Sequence, residues 1–385
     1  MKVHEQSGND FASHLHEGQP ASQPARLTRR RLLAAAAAAA LAPQFLRSTL
    51  ANTNTGKHPL GEWQSPLLRD HPLVGRIIDV RTGHPLTLQD VIARAARADV
   101  LVIGETHDNP DHHRLQGRLL TVFAEAKRRE KGRPPAIVFE MIDTDRDAAL
   151  SAVNGKAGRT ADDIFDAAEW DTSGWPKRDI YRPVMQAAAE SGGPVVAAGL
   201  PRKTVREVGR KGLDVLPADR RQALRLAPLT PAQQESLERQ IVKSHCDMIP
   251  RRAAAAMSGV QRLRDALLAE RVMKALKENG SVVLITGTGH ARADRGAPLY
   301  IRRHDPKVKT FVVWLAEAQE DAKVWSDLLP EDSRPEALAD VVIVTPRAER
   351  KDQCEEFRKF MERKKKRHGK TEGKDDRPSG KPAGQ

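Results

Sequence analysis

Two copies of one short pattern, Gly-x-x-His, carry the clearest chemistry in this chain. The first copy, Gly104–His107, follows the apolar run Val100–Ile103, and the second, Gly287–His290, follows the apolar run Val282–Ile285. Short apolar runs that are rich in β-branched residues and end at a glycine predict buried strands. Ligands of open α/β sheets bind outside the carboxyl ends of the strands. We therefore expect the two histidines to meet at one edge of a sheet.

A carboxylate is expected at the same edge. Glu140 ends a third apolar run, and together with His107 and His290 it gives two imidazoles and one carboxylate. Such a set suits borderline divalent metals such as Zn, Mn or Fe. Glu105 is an alternative carboxylate ligand, or a base that acts on a bound water. A strand-end glutamate taken alone is often only a cap or an ion-pair partner. The prediction of a metal site therefore depends on the combination of Glu140 with the two histidines.

The chain has only two tyrosines, Tyr181 and Tyr300. A tyrosine phenolate can be an axial ligand of ferric haem, and arginines nearby can pair with the haem propionates. Arg292 and Arg295 lie between the second Gly-x-x-His copy and Tyr300, which makes them candidates for that pairing. The alternative for each tyrosine is that it packs beneath a loop.

The first Gly-x-x-His copy leads directly into a helix. Asn109 is the expected cap and Pro110 the first helical residue. His112 and His113 fall in the first turn, where the positive helix terminus favours neutral imidazole that could bind a metal. The alternative, which we favour for these two residues, is that both face solvent.

The order of the elements predicts the fold class. Apolar strand-like runs alternate with amphipathic helices, which indicates an α/β fold with a mostly parallel sheet flanked by helices. We place this domain at residues 73–346, after a linker at 52–72. Residues 202–279 are helical throughout and are expected to form an insertion over the carboxyl ends of the strands. The Lys-rich tail, residues 347–385, is predicted to be disordered or a marginal helix.

Residues 1–51 have the pattern of an export signal. A twin-arginine segment, Thr28–Leu33, precedes an alanine-rich run, and Thr49–Ala51 is a plausible cleavage site. The apolar stretch of roughly 11 residues is too short for a bilayer core of about 30 Å. The pattern predicts export to the periplasm through the twin-arginine pathway, with no transmembrane or lipid anchor in the mature chain. The alternative is a soluble alanine-rich helix behind a disordered leader.

Charge and cysteine content exclude two classes of protein. The net charge is +13, but residues 1–51 contribute +3 and residues 347–385 contribute +6, which leaves about +4 on everything between them. A nucleic-acid binder would carry a concentrated basic surface, so we expect no nucleic-acid partner. Two cysteines, Cys246 and Cys354, cannot form a disulfide framework. One bridge is allowed in an oxidising compartment, although Cys354 is expected to be incidental in its charged tail.

Several separated motifs resemble those of the ChaN-type haem-binding proteins. The resemblance spans about residues 73–316 and rests on the segments Gly104–Gln116, Phe139–Met141, Trp175–Pro183, Ser244–Pro250 and Gly287–His290.

This resemblance implies haem binding in bacterial iron uptake, through a tyrosine and in a homodimer with two stacked haems. The family is related to the Tiki proteases and the erythromycin esterases, and Glu105, His107, Glu140 and His290 match their hydrolytic constellation. A periplasmic hydrolase, metal-dependent or using a general base, is therefore the alternative function. Many relatives are lipoproteins, whereas this chain has a twin-arginine leader without a lipobox cysteine.

Overall fold

The computed structural model describes residues 59–332 and 334–372, with side chains in the last helix described as far as Arg363. The predicted export signal and the first third of the predicted linker, residues 52–58, lie outside the described residues. Among the residues that are described, no helix combines the length and the apolar character that a bilayer span requires.

Seven strands form one sheet, which confirms the predicted α/β class. The strands are β1 Ile77–Asp79, β2 Val100–Glu105, β3 Ala136–Asp143, β4 Val195–Gly199, β5 Val282–Gly287, β6 Thr310–Glu317 and β7 Val341–Thr345. Their order across the sheet is β1-β7-β6-β2-β5-β3-β4. Every neighbouring pair is parallel except β1 and β7. The strands β2, β5 and β3 are therefore adjacent, and their carboxyl ends lie side by side.

Thirteen α-helices lie within the described range. They are α1 Leu88–Ala95, α2 Pro110–Lys131, α3 Asp147–Asn154, α4 Ala161–Ala167, α5 Trp170–Ser173, α6 Arg178–Ser191, α7 Arg202–Lys211, α8 Ala218–Ala223, α9 Pro231–Ser244, α10 Arg251–Asn279, α11 Thr288–Ala291, α12 Ala297–His304 and α13 Gln353–Glu372.

Helices cover both faces of the sheet. In β2, Leu101 and Ile103 pack into the apolar core that α2 and α6 complete, while Val100 and Val102 pack into the core that α10 and α12 complete. All six residues of β2 are buried. Central strands of parallel sheets are buried on both faces, which is why these strands appear in the sequence as continuous apolar runs.

The predicted helical insertion corresponds to α7–α10. The long helix α10 packs along one face of the sheet through apolar residues such as Leu263 and Leu268. Helix α9 lies nearer the strand ends, where Gln240 approaches Gly289. The insertion therefore covers a face of the sheet as well as the carboxyl edge.

The start of the tail that was predicted to be disordered or a marginal helix packs on the domain. Arg350 donates hydrogen bonds to Asp108 Oδ1 at 2.7 Å and to Glu317 Oε1 at 2.7 Å, so it joins the loop after β2 to the end of β6. Helix α13 follows. Cys354 in its first turn forms a disulfide with Cys246, 108 residues earlier in the chain. The expectation that Cys354 is incidental was wrong, because this segment docks against the helical insertion.

Cys354→Ser should lower the free energy of unfolding by about 2–4 kcal/mol, because the disulfide closes a long loop and restricts the unfolded chain. Urea unfolding of the oxidised proteins measures the difference. Dithiothreitol should bring the wild type to the level of the variant and leave the variant unchanged. Equal stability of the two oxidised proteins would contradict a stabilising bridge.

Candidate functional site

The two Gly-x-x-His turns lie in close contact at the carboxyl ends of the neighbouring strands β2 and β5. A Cβ atom at Gly104 would lie 2.7 Å from Ala291 Cβ, and one at Gly287 would lie 2.8 Å from His107 Nε2. Any larger residue at either glycine would push the turns apart. The glycines are therefore required by the approach of one motif to the other, which brings His107 next to the second motif.

Glu105, the last residue of β2, is fully buried and contacts three polar side chains. Its Oε1 accepts hydrogen bonds from the Tyr181 hydroxyl at 2.7 Å and from His107 Nδ1 at 2.9 Å. Its Oε2 lies 2.8 Å from His113 Nδ1. Burial alone would raise the pKa of Glu105, but the charge on His113 and the hydrogen bond from His107 lower it well below its usual value. Glu105 is therefore an anion at neutral pH.

His107 is the one member of this cluster that reaches solvent, with 35% of its side chain exposed. Burial lowers its pKa, but the hydrogen bond and the charge of Glu105 raise it to about 9. Its ring lies 4.7 Å from the Trp175 ring. No described residue makes a hydrogen bond to its Nε2, so this nitrogen can accept a ligand once its proton leaves.

Glu140 lies at an irregularity of β3, where the pairing with β4 shifts between Phe139 and Asp143. Bulges of this kind turn a side chain into a site. Its Oε2 accepts hydrogen bonds from Thr286 Oγ1 at 2.6 Å and from the Gly287 amide at 2.8 Å. Burial raises its pKa, but His290 and His107 more than offset this and lower the pKa to about 2.

His290 is held between two carboxylates. Its Nδ1 donates to Asp265 Oδ1 at 2.7 Å, and its Nε2 lies 3.5 Å from Glu140 Oε1. Burial lowers the pKa of His290, but Glu140 and Asp265 raise it above its usual value. Asp265, in the middle of α10, was missed at the sequence level. A buried acid on the apolar stripe of a long helix is the signal that could have found it.

The expectation that His112 and His113 face solvent was wrong, because both are completely buried. His112 Nδ1 accepts a hydrogen bond from the Thr106 amide at 2.8 Å, and burial lowers the pKa of His112 to about 4. His113 Nε2 donates to the His107 carbonyl at 3.0 Å. Both imidazoles therefore hold the loop that carries His107, rather than offering themselves to a ligand.

The candidates for haem binding are not brought together. Tyr181 is buried beneath Glu105 and His113, and Tyr300 is buried in the core on the other face of the sheet. Arg292 is buried and paired with Asp294 at 2.7 Å. A tyrosine ligand would require either phenol to leave its packed position, so tyrosine ligation stays a prediction.

The predicted divalent-metal site is not supported. Within the described part of the chain, no group of three His, Cys, Asp or Glu residues is arranged to hold a metal ion. One nitrogen of each histidine is already held by another carboxylate, His107 Nδ1 by Glu105 and His290 Nδ1 by Asp265. Glu140 likewise has one oxygen engaged by Thr286 and Gly287.

Two clefts lie beside this cluster, and their charges differ. Glu105, His107, Glu140 and His290 line neither of them; Trp175, whose ring lies 4.7 Å from that of His107, lines the first, and Thr106 lines the second. The basic cleft has a volume of about 640 Å³. It is lined by Trp175 and Met141, by the cations Arg146, Arg202, Lys203, Arg206 and Arg264, and by the acids Asp143, Asp145 and Glu169. The acidic cleft, of about 670 Å³, is lined by apolar residues, by Arg239 and Lys243, and by the acids Glu317, Asp327, Glu331 and Asp332. The linings carry net charges of about +2 and −2.

The Glu105–His107 pair predicts a pH dependence of stability. The raised pKa of His107 stabilises the fold below pH 6.5, and this contribution is lost as pH rises towards about 9. The lowered pKa of Glu105 stabilises the fold above pH 4.5, and that contribution is lost as pH falls. The contribution of the pair to the free energy of unfolding is therefore greatest between pH 4.5 and pH 6.5.

Glu105→Gln should lower the free energy of unfolding near pH 6 by about 1–2 kcal/mol, because the partly exposed His107 cation loses its charged partner while solvent screens part of that loss. The substitution should also reduce the pH dependence of the free energy of unfolding on both the acidic and the alkaline side, as measured by urea unfolding from pH 4 to 9. Imidazole NMR should show the pKa of His107 falling towards 6.5. Glu125→Gln, on the exposed face of α2, is the matched control. An unchanged pH profile in Glu105→Gln would contradict the role of the pair.

Comparison with known proteins identifies the family. A family model described as "Haem-binding uptake, Tiki superfamily, ChaN" matches residues 91–301. Among solved structures, "Cofacial heme binding to ChaN of Campylobacter jejuni" has a TM-score of 0.54 at 20% identity, over 69% of this chain and 95% of that one. An erythromycin esterase mutant in its open conformation has a TM-score of 0.37 at 12% identity, over 69% and 95%. A search of curated proteins found no match. The chain belongs to the ChaN family of haem-binding uptake proteins in the Tiki superfamily.

Proposed function

We propose that this protein is exported to the periplasm, binds haem in the basic cleft, and acts in haem or iron acquisition. The observation that carries the proposal is the state of His107. Its Nδ1 is fixed by a buried carboxylate at 2.9 Å, while its Nε2 has no hydrogen-bonding partner among the described residues. Histidines that bind iron or other metals usually donate their second ring nitrogen to a carboxylate in this way.

The basic cleft suits the chemistry of a haem. Trp175 offers an aromatic face next to His107, and Lys203, Arg206 and Arg264 form no ion pair within the described residues. Cations in a cleft that also offers an aromatic face can receive the two propionates. The acidic cleft would repel them. Ligand pockets of drug-sized molecules span roughly 300–1,000 Å³, and the basic cleft falls in this range.

His107 rather than a tyrosine is the proposed iron ligand. The Tyr181 hydroxyl donates to Glu105 Oε1 at 2.7 Å, and burial with the charge of Glu105 raises its pKa well above its usual value. Phenolate formation is therefore less favourable than deprotonation of His107, whose pKa is raised only to about 9. Haem bound at His107 would supply the iron that the uptake system handles, while Glu105 and His113 hold the imidazole and its loop.

Export and assembly complete the proposal. The twin-arginine segment Thr28–Leu33 supports export to the periplasm. The similar ChaN protein of Campylobacter jejuni binds haem cofacially. We propose a comparable homodimer around two stacked haems here, because a ligand that reaches solvent, as His107 does, leaves one haem face open to a second haem.

Hemin titration of the mature chain tests the proposal. The wild type should shift and sharpen the Soret band, and His107→Ala should weaken hemin binding at least tenfold because the iron ligand is lost. Tyr181→Phe should bind like the wild type, and His84→Ala, at an exposed histidine, is the matched control. Normal binding by His107→Ala together with loss in Tyr181→Phe would overturn the assignment in favour of the tyrosine.

A second candidate function is hydrolysis by a general base. The carboxylate–imidazole–carboxylate arrangement of Asp265, His290 and Glu140 is the observation that favours it. A carboxylate on Nδ1 fixes the tautomer of a histidine and supports proton transfer at Nε2. The raised pKa of His290 means that it must first lose a proton to act as a base. A hydrolase would therefore be more active at alkaline pH.

Hydrolysis of p-nitrophenyl esters tests this candidate. Activity that rises with pH, and falls about 100-fold in His290→Ala, would support a general base, since such catalysis contributes roughly 10²–10⁴-fold. Asp265→Asn should lower the pH at which activity appears, because it removes one of the two anions that stabilise the imidazolium. Activity that disappears with a chelator and returns with a divalent metal would contradict the metal-free version. Equal rates in wild type and His290→Ala would remove the candidate.

A further inference from the structure

A third, smaller cavity adjoins His290 and has no part in the proposed haem site. It has a volume of about 50 Å³ and lies between the helical insertion and the turn after β5. One ordered water needs roughly 10–15 Å³ of such volume, so the cavity accepts a group the size of a carboxylate. Its lining residues include Gln240, Gln261, Asp265, His290 and Arg295.

Arg295 is a buried cation that forms no salt bridge within the described part of the chain. Only 2% of the residue is exposed. Its Nε donates to Ser236 Oγ at 3.0 Å and its Nη2 donates to Gln240 Oε1. Among the described residues, no carboxylate lies within ion-pair distance of its guanidinium. Buried charges are normally paired, because an isolated charge loses its hydration without compensation.

The surroundings of Arg295 disfavour its charge further. Burial, with the nearby charge of Arg292, lowers the pKa of Arg295 to about 10. Arg292 has its own carboxylates, with Asp294 at 2.7 Å and Asp332 at 3.3 Å. The charges of Asp294, Asp265 and Asp332 offset only part of this effect. An anion delivered to the small cavity would therefore stabilise the charge of Arg295 further.

A second residue of the cavity points to a ligand. Gln261 Oε1 is buried and has no hydrogen-bonding partner in the described part of the chain. The two ends of an amide side chain can exchange places, so a rotated Gln261 would present its NH₂ group to an anion. Asp265 also lines the cavity, but its charge is compensated by His290 Nδ1 at 2.7 Å. It therefore does not exclude an anion beside Arg295.

We propose that this cavity binds the carboxylate group of a small organic acid, held by Arg295 and Gln261 beside His290. A guanidinium fork matches a carboxylate in shape and charge, and the small volume leaves room for the head group alone. The site bridges α9, α10 and the turn after β5, so occupancy should also fix the insertion on the domain. This proposal does not depend on haem binding, because Arg295 does not line the basic cleft.

Saturation-transfer NMR with sodium propionate, at constant ionic strength against sodium chloride, tests the cavity. The wild type should show transfer, and Arg295→Gln should weaken binding at least tenfold because the cation is lost. Arg295→Lys should retain part of the affinity. Arg251→Gln makes the same charge change at a side chain that is 74% exposed on α10 and should bind like the wild type. If Arg295→Gln does not fold, Gln261→Leu tests the same pocket without removing its charge.

The remaining outcomes separate this site from the haem site. Hemin should bind Arg295→Gln as it binds the wild type. Hemin binding that fails in every protein, with propionate binding still dependent on Arg295, would overturn the haem proposal and support this one. Absent propionate binding in the wild type, or equal binding in Arg295→Gln, would overturn the carboxylate site. If phosphate competes with propionate and binds with the higher affinity of the two, the choice of a carboxylate as the ligand is overturned.

Discussion

The candidate site depends on one buried carboxylate. Glu105 ends the central strand β2 and accepts from Tyr181 and His107 while it lies against His113. A buried anion is unfavourable unless such partners surround it. Because three elements must supply those partners, the carboxylate fixes the loop after β2, the first turn of α2 and the position of α6 relative to one another. The orientation of His107 follows from that arrangement.

The fold and the meeting of the two motifs were predictable from the sequence because both depend on local signals. The strands are continuous apolar runs, and Asn109 with Pro110 marks the start of α2. The roles of individual histidines were not predictable. His112 and His113 follow a cap in the way that solvent-exposed residues often do, and only the packing of α2 against β7 and α6 buries them. Burial of polar side chains depends on tertiary packing, and the periodicity of apolar residues in the sequence does not predict it.

The same limit explains the error about Cys354 in the C-terminal segment, which was predicted to be disordered or a marginal helix. Its Lys-rich composition is typical of a disordered tail, yet Arg350 binds Asp108 and Glu317, and Cys354 is bridged to Cys246. Each of these contacts joins residues more than 30 positions apart in sequence. Since Asp108 directly follows His107, the segment also helps to hold the loop that carries this histidine. A composition-based boundary at residue 346 therefore separates residues that the fold joins.

Two copies of the Gly-x-x-His pattern become unequal sites because their neighbours differ. His107 is bound by one carboxylate, is one-third exposed and faces Trp175, which suits a ligand that arrives from solvent. His290 is held by two carboxylates, has 11% of its side chain exposed and shares a small cavity with Arg295, which suits proton transfer or recognition of a small anion. Glu105 and Asp265 belong to different elements, so each histidine is held by its own carboxylate. The environment of His290 can therefore persist while His107 binds a ligand.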